Sequence, residues 1–310
     1  MPFFFFSFLY SVTNISIIVH GKHGPNSLIH RFCELTKNQP EFKTEVYLTQ
    51  HQGHAKQLTL STIQNGTHII IASGGDGTIN EVVNGIIESG NNQIRMTIVP
   101  AGTGNDFMRP RTHFTTASHI LDSIISEKFQ PIDVGMITSH NNHHYFLNIA
   151  DAGFGGSTVH TLNQVRGLIS GKIAYPLAIL ITFLKYRKPK IELRIGEFQY
   201  SGPALMVAFC NGSCFGNGIY IHPGAEPTDG KLNITLLGKV ALFDYIRYLP
   251  KLKKGLRIQH KELHYLKGTD CSIKLLTGKM DIEADGEIVT LQNPEIKILP
   301  GVLRYIGPDY

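Results

Sequence analysis

Ile69-Ile70-Ile71-Ala72-Ser73-Gly74-Gly75-Asp76-Gly77-Thr78-Ile79-Asn80-Glu81 is the stretch that decides the fold. Its apolar, β-branched start predicts a buried parallel strand. The run halts at Gly74, Gly75 and Gly77, after which Ile79, Val82, Val83, Ile86 and Ile87 recur at helical spacing. The order is therefore strand, glycine turn, helix. Glycines let backbone N–H groups approach a ligand with no Cβ in the way, and a helix N-terminus adds unpaired N–H groups and partial positive charge. Together they form a phosphate cradle. Asp76 puts a carboxylate where phosphate oxygens would lie, which makes sense if a divalent cation bridges the two charges. On these residues alone, a tight turn with Asp76 capping the helix explains the stretch equally well.

A second segment repeats the pattern. Ile98-Val99 ends an apolar run and leads into Pro100-Ala101-Gly102-Thr103-Gly104-Asn105-Asp106-Phe107. Two such loops at the carboxyl ends of parallel strands share one sheet edge, where ligands bind in open α/β folds. Strands are predicted at Ile15–Val19, Lys43–Leu48, His68–Ala72 and Arg95–Val99, and helices at Asn26–Lys37, Gly53–Ile63, Thr78–Ser89 and Thr116–Ser126. This alternation predicts right-handed βαβ units around a parallel sheet. Beyond Pro131-Ile132-Asp133-Val134-Gly135 short strand-like runs take over, at Ile132–Thr138, Tyr145–Ala150, Ile191–Ile195, Ala204–Cys210, Leu232–Leu237, Ser272–Leu276 and Met280–Ala284. They predict a mostly antiparallel sandwich. The expected layout is an α/β domain over residues 1–133 and a β-rich domain over 134–293, with an interdomain cleft and with 294–310, through Ile296–Leu299, free to return to the first. Helical inserts are expected at Lys172–Arg187 and Ala241–Lys254. Their basic ends suit either the helix dipole or an anionic membrane surface, and the first is too short to span a bilayer.

Gly74-Gly75-Asp76-Gly77-Thr78 followed by Gly102-Thr103-Gly104-Asn105-Asp106-Phe107 resembles the diacylglycerol kinase catalytic-domain family, which includes bacterial lipid kinases and sphingosine kinases. More distantly it is similar to NAD kinases and phosphofructokinases. Asn148, Gly153-Phe154-Gly155, Asp229-Gly230 and Asp285-Gly286-Glu287 extend the resemblance over nearly the whole chain. It implies an ATP- and Mg²⁺-dependent transfer of phosphate to a hydroxyl of a membrane lipid, with diacylglycerol the first expectation. It places nucleotide on Thr49, Gly74, Gly75, Asp76, Gly77, Thr78, Asn80, Thr103 and Asn105. It implies a structural Mg²⁺ on Asp229, with the carbonyls of Glu226 and Lys231. Glu287 matches a proton acceptor and Asp285 assists it or binds metal, while Asp76 is an alternative base. By themselves, Asp229-Gly230 and Asp285-Gly286 read as turns. The chain departs from the family at His20-Gly21-Lys22-His23-Gly24-Pro25-Asn26, where an Asn-Pro is usual. Rival readings are a kinase of a sphingoid base, NAD or a sugar, and a nucleotide- or lipid-binding regulator without catalysis.

The 310 residues carry a formal net charge of +5 and a pI near 8.9. This mild excess suits anionic ligands or an anionic membrane surface and does not call for nucleic acid. Cys33, Cys210, Cys214 and Cys271 are scattered, which argues for a reducing compartment rather than a disulfide framework. The expectation is a cytoplasmic protein in peripheral contact with membrane, with a homodimer left open. The block from Phe3 to Tyr10 lacks the basic start and cleavage site of a signal peptide and reads as an extension before the first strand rather than an anchor. Gly-x-x-x-x-Gly-Lys-Ser/Thr, Gly-x-Ser-x-Gly and His-Glu-x-x-His are absent, which removes P-loop, α/β-hydrolase and zincin chemistry. The histidines read as incidental.

Overall fold

In the computed structural model, which describes residues 12–139, 142–166, 173–289 and 293–308, the first half alternates strand and helix. It runs β1 (Thr13–Val19), α1 (Ser27–Thr36), β2 (Phe42–Leu48), α2 (His54–Gln64), β3 (Ile69–Gly74), α3 (Asp76–Glu88), β4 (Arg95–Pro100) and α4 (Ala117–Ile125). The four strands are parallel in the order β2-β1-β3-β4. Ile70 and Ala72 pack with Val82 and Val83 of α3, whereas Ile69 and Ile71 pack with Phe32 of α1 and Ile120 of α4. Both faces of β3 are thus covered, which is why its sequence is an unbroken apolar run. Asn26 caps α1, its Oδ1 accepting from the Ile29 N–H at 3.0 Å. Gly53 has no side chain to cap α2, and Glu81 of α3 does so instead, accepting from the Gly53 and Ala55 N–H groups at 2.7 and 2.9 Å.

The second half contains β5 (Gln130–Ser139), β6 (Asn142–Phe146), β7 (Ile149–Gly153), α5 (Phe154–Arg166), α6 (Ala174–Lys185), β8 (Lys190–Ile195), β9 (Phe198–Pro203) and β10 (Met206–Cys210). It continues through β11 (Cys214–Phe215), β12 (Ile219–Tyr220), β13 (Leu232–Leu237), α7 (Leu242–Lys253), β14 (Leu263–Gly268), β15 (Asp270–Thr277), β16 (Ile282–Ala284), β17 (Glu287–Val289) and β18 (Glu295–Tyr305). One sheet of the sandwich is β14-β13-β10-β7-β16-β17. Facing it are β5, β6, β8, β9, β15 and the first part of β18, which are continuous with the parallel sheet. Ile137, Phe146, Ile191, Leu193, Ile273 and Ile296 from that side meet Ala150, Val207, Phe209, Ile234 and Ile282 from the other. The Phe-rich N-terminal block and Lys172 lie outside the described residues.

Several differences from the sequence reading have physical causes. The predicted strand Tyr145–Ala150 is two strands in two different sheets, broken at Leu147-Asn148. The unpredicted β9, β14 and β17 are sheet-edge strands, half-exposed over most of their length and so without clean alternation. Helix α5 was hidden because Gly155 and Gly156 open it. The segment beside β4 is Arg304-Tyr305; Ile296–Leu299, upstream, pairs with β5.

Buried Asp133 holds this junction. The register of β18 against β5 slips between Leu299 and Leu303, and there the Gly301 N–H donates to Asp133 Oδ1 at 2.7 Å. The Gly230 N–H donates to Asp133 Oδ2, also at 2.7 Å. One carboxylate therefore pins the bulge to the Asp229-Gly230 turn. Asp133→Ala leaves both donors unsatisfied and is expected to cost about 3 kcal/mol in urea unfolding; a loss within experimental error would show that the bulge holds itself.

Candidate active site

The two glycine loops meet backbone to backbone. A Cβ on Gly102 would fall 2.4 Å from Gly75 Cα, and one on Gly75 would fall 3.3 Å from Gly102 Cα, so neither position accepts a side chain easily. Above Gly77 the space is open. Gly75 is the N-cap of α3 and no side chain caps the helix, which leaves its first-turn N–H groups facing outward. A polar cleft of about 560 Å³ lies here, lined by Thr49, Gly75, Gly77, Thr78, Glu81 and Gly102. His20, Lys22, His23 and His51 also line it, so histidines that look incidental in the sequence stand at its wall. Thr49 Oγ1 accepts from the Gly21 N–H at 3.1 Å, joining the atypical first loop to the end of β2.

The opposite wall is Asp285, Gly286 and Glu287. Asp285 has φ 47° and its carboxylate gathers the N–H groups of Leu147, Asn148 and Ile149 at 2.7–3.3 Å. This grip is what breaks the predicted strand. Burial pushes the Asp285 pKa up to about 7, in spite of those donors. Glu287 is half-buried, and its Oε1 accepts from Gln52 Nε2 of the first half at 2.8 Å.

Behind Asp285 and Gly286 lies a second cavity, of about 300 Å³. It runs between the outer face of β7 and β10 and helices α5, α6 and α7, with walls that include Ile149, Phe154, Ile179, Phe183, Met206 and Leu237. Asp76, Asp106, Asn148, Glu283 and Asp285 line it as well. Asp285 and Gly286 belong to both spaces.

Some expected residues serve the loops themselves. Asn105, at φ 49°, exchanges hydrogen bonds of 2.9 Å with the Gly102 N–H and carbonyl. Asn80 is buried and its Oδ1 accepts from Asn84 Nδ2 at 3.2 Å, and Gly74 packs on Thr78. Thr103 is exposed and lines neither space. Asp229 Oδ2 lies 2.6 Å from Lys267 Nζ while Oδ1 accepts from the Lys231 N–H at 2.8 Å, and Glu226 is exposed. With an ammonium already on its free oxygen, this turn does not fit a structural Mg²⁺.

Other groups escaped the sequence reading because their partners are remote. Asp106 is buried, and its carboxylate accepts from the Asn217 and Gly218 N–H groups at 2.8 Å and lies 3.4 Å from Arg109 Nε. Burial, with a contribution from the Asp106 charge, raises the Asp76 pKa. Asp151 and Glu283 are directly opposite in the β7–β16 pairing and both are buried. Burial and then the neighbouring Asp151 charge raise the Glu283 pKa well above its ordinary value, and burial raises that of Asp151 to about 6.

Residues 14–137 match the diacylglycerol kinase catalytic domain, and residues 148–307 match the YegS C-terminal NAD kinase beta sandwich-like domain. The chain belongs to the diacylglycerol kinase family. It is 28% identical over 302 residues to "Probable lipid kinase YegS-like" of Alcanivorax borkumensis, covering 94% of this chain and 96% of that one. It is 27% identical over 253 residues to "Diacylglycerol kinase" of Bacillus subtilis, covering 80% of each chain. A crystal structure of a diacylglycerol kinase from Bacillus anthracis superposes with a TM-score of 0.68 at 20% identity, covering 95% of this chain and 96% of that one, and so shares the fold. As a member of this kinase family, the chain is an alcohol phosphotransferase, and the broad activity is that of a lipid kinase.

In this lipid kinase the Asp151–Glu283 pair sets a pH dependence. The folded state holds a proton that the unfolded chain releases near the ordinary carboxylate pKa, so the pair favours folding below about pH 4 and loses that contribution as pH rises through the raised folded values. Asp151→Asn is expected to flatten the fall in stability between pH 5 and pH 8 and to raise stability at pH 8, measured by urea unfolding. Parallel curves for wild type and variant would mean that the pair holds no extra proton.

Proposed function

We propose that the protein transfers the γ-phosphate of ATP, with Mg²⁺, to a hydroxyl of a membrane lipid, with diacylglycerol the first acceptor to assay. The observation that carries this reading is the meeting of a polar cleft and an apolar cavity at Asp285-Gly286. A soluble, polar acceptor such as NAD or a sugar does not match the apolar walls.

The residues present fit a nucleotide and a divalent cation. The uncapped start of α3, the bare Gly75–Gly102 contact and the open space above Gly77 suit phosphate oxygens. Asp76 and Asp106 both face Gly104, their Oδ2 atoms 3.0 and 3.5 Å from where its Cβ would stand. Asp106 is engaged by the Asn217 and Gly218 N–H donors, whereas the Asp76 carboxylate accepts from the Phe107 N–H, at 3.2 Å, on Oδ1. Asp76 Oδ2, which faces Gly104, would be the oxygen to hold Mg²⁺, which when bound would offset phosphate charge. Asp285 is saturated by backbone donors, while Glu287 has one oxygen held by Gln52 and, among the described residues, no hydrogen bond on the other. On this reading Glu287 takes the lipid hydroxyl's proton and Asp285 shapes the wall.

The apolar cavity also lies beside side chains suited to a bilayer. Leu180 and Leu184 of α6 and Phe243 and Ile246 of α7 are exposed, Leu184 and Phe243 to 75% and 71%. They adjoin Phe183 and Tyr245, whose rings are 5.5 Å apart beside the cavity. Lys185, Arg247, Lys251 and Lys253 lie on the same helices. Apolar side chains beside cations suit an anionic lipid surface. Among the described residues no helix is long and apolar enough to cross a membrane.

Glu287→Gln is expected to lower kcat about 10²–10⁴-fold, the usual contribution of a general base, with nucleotide affinity changed only a few-fold. Single-turnover phosphorylation and nucleotide titration measure the two; a near wild-type rate would move the base to Asp76. Phe243→Ser with Ile246→Ser is expected to reduce activity on anionic vesicles at least tenfold while sparing activity on a short-chain, monomeric acceptor. Equal losses on both would place these residues in folding rather than docking.

A further inference from the structure

Glu287 stands where its own sheet holds it on one side alone. It opens β17, a three-residue strand that ends the order β14-β13-β10-β7-β16-β17, and it pairs with Ala284 across the Asp285-Gly286 turn. Among the described residues no strand flanks β17 on its outer side. The uncapped start of α3 belongs to the other half of the molecule. A proton acceptor works only within about 3 Å of the hydroxyl that it serves, so groups built on two different sheets must be kept in register.

Gln52 crosses between them. It lies in the loop between β2 and α2, and its Nε2 donates to Glu287 Oε1 at 2.8 Å over a separation of 235 residues. Gln52 is exposed, and an exposed side chain holds a geometry only where its ordering costs little. Here the backbone around it is already fixed. Gly53, at φ 81°, and Ala55 donate their N–H groups to Oε1 and Oε2 of Glu81 at 2.7 and 2.9 Å, and the Gln52 carbonyl lies 2.9 Å from His51 Nδ1. Glu81 is on α3, as Asp76 is, and it lines the same polar cleft as Gln52 and Glu287. A connected path therefore runs from α3 through Glu81, the Gly53 backbone and Gln52 to Glu287.

An amide suits this task. It holds one carboxylate oxygen and leaves the other for a substrate proton. A Lys or Arg would hold the carboxylate as well, but its charge would lower the proton affinity on which a general base depends. Gln52 supplies the hydrogen bond without the charge.

We infer that Gln52, anchored on α3 through Glu81, is a positioning residue for Glu287 and keeps the proton acceptor in register with the phosphate cradle across the cleft. This rests on the reading of Glu287 as the base.

The test is a double-mutant cycle on the full chain. Gln52→Met keeps the length of the side chain but has no donor. Gln52→Glu is close to isosteric, and as a carboxylate it turns a like charge on Glu287. Each is made alone and together with Glu287→Gln. Single-turnover transfer from labelled ATP is followed in mixed micelles of diacylglycerol, or of a total lipid extract where diacylglycerol is not taken. Each single variant at Gln52 should lower the rate constant about tenfold, with nucleotide affinity by titration changed less than about threefold. Added to Glu287→Gln, the same substitutions should cost nothing further, because the group that they position is gone. Equal losses in the two backgrounds would make Gln52 a structural residue of its loop and overturn the inference, as would wild-type rates in both single variants. A near wild-type rate for Glu287→Gln by itself marks the other failure: the base then lies elsewhere, and the positioning role falls with it.

Discussion

The arrangement of the second half turns on one carboxylate. Asp285 stands at a left-handed φ of 47° beside Gly286 at 92°, and takes up three consecutive backbone N–H groups from Leu147 to Ile149. A non-glycine residue holds such a backbone only where its surroundings repay the strain. Here the repayment is charge-assisted hydrogen bonding to donors that would otherwise be stranded where β6 leaves one sheet and β7 enters the other. The break separates the two sheets of the sandwich. It also brings Asn148 to the head of the apolar cavity and puts Asp285 and Gly286 on the boundary between that cavity and the polar cleft. Fold and site therefore depend on the same contact.

On the facing side, the equivalent constraint is the absence of side chains. Gly75 and Gly102 touch through their backbones, and Gly21 lies so close to Thr49 that a Cβ there would fall 1.9 Å from the Thr49 carbonyl oxygen. Three loops thereby converge on the start of α3, whose N–H groups are left uncapped. Many polar residues in these loops work for the loops: Asn105 closes one, and Glu81 caps a neighbouring helix. The bare backbone is the ligand-facing part, which fits recognition of phosphate by N–H groups rather than by side chains.

Acidity divides along the same boundary. Asp76, Asp285, Asp151 and Glu283 all have raised pKa values, burial being the first cause in each case. Carboxyls held against their solvation preference cost stability, and such groups concentrate where chemistry or recognition uses them. Asp133, also buried, accepts from two backbone donors and serves the junction of the sheets.

The sequence by itself determined the parallel first half, because each of its strands and helices writes its own burial into local periodicity, and the glycine loops mark where strands stop. Asp76, Gly75, Gly77, Thr78, Thr49, Asp285 and Glu287 were legible as candidates through motif and spacing; all but Asp76 line one cleft, and Asp76 lines the adjoining apolar cavity. What tertiary structure alone decided involves partners far apart in the chain. Residues 145–150 look like one strand because nothing local reports a carboxylate more than a hundred residues later. Asn80 and Asn105 look like ligand residues until their side chains are seen closing hydrogen bonds within their own segments. Asp229 resembles a metal ligand until Lys267 is placed on it. Asp151 and Glu283 carry no motif, and only the antiparallel register of β7 and β16 makes them a pair. Local propensity acts over a few residues, whereas burial, charge pairing and cavity shape are set by contacts that exist only once the sheets have closed.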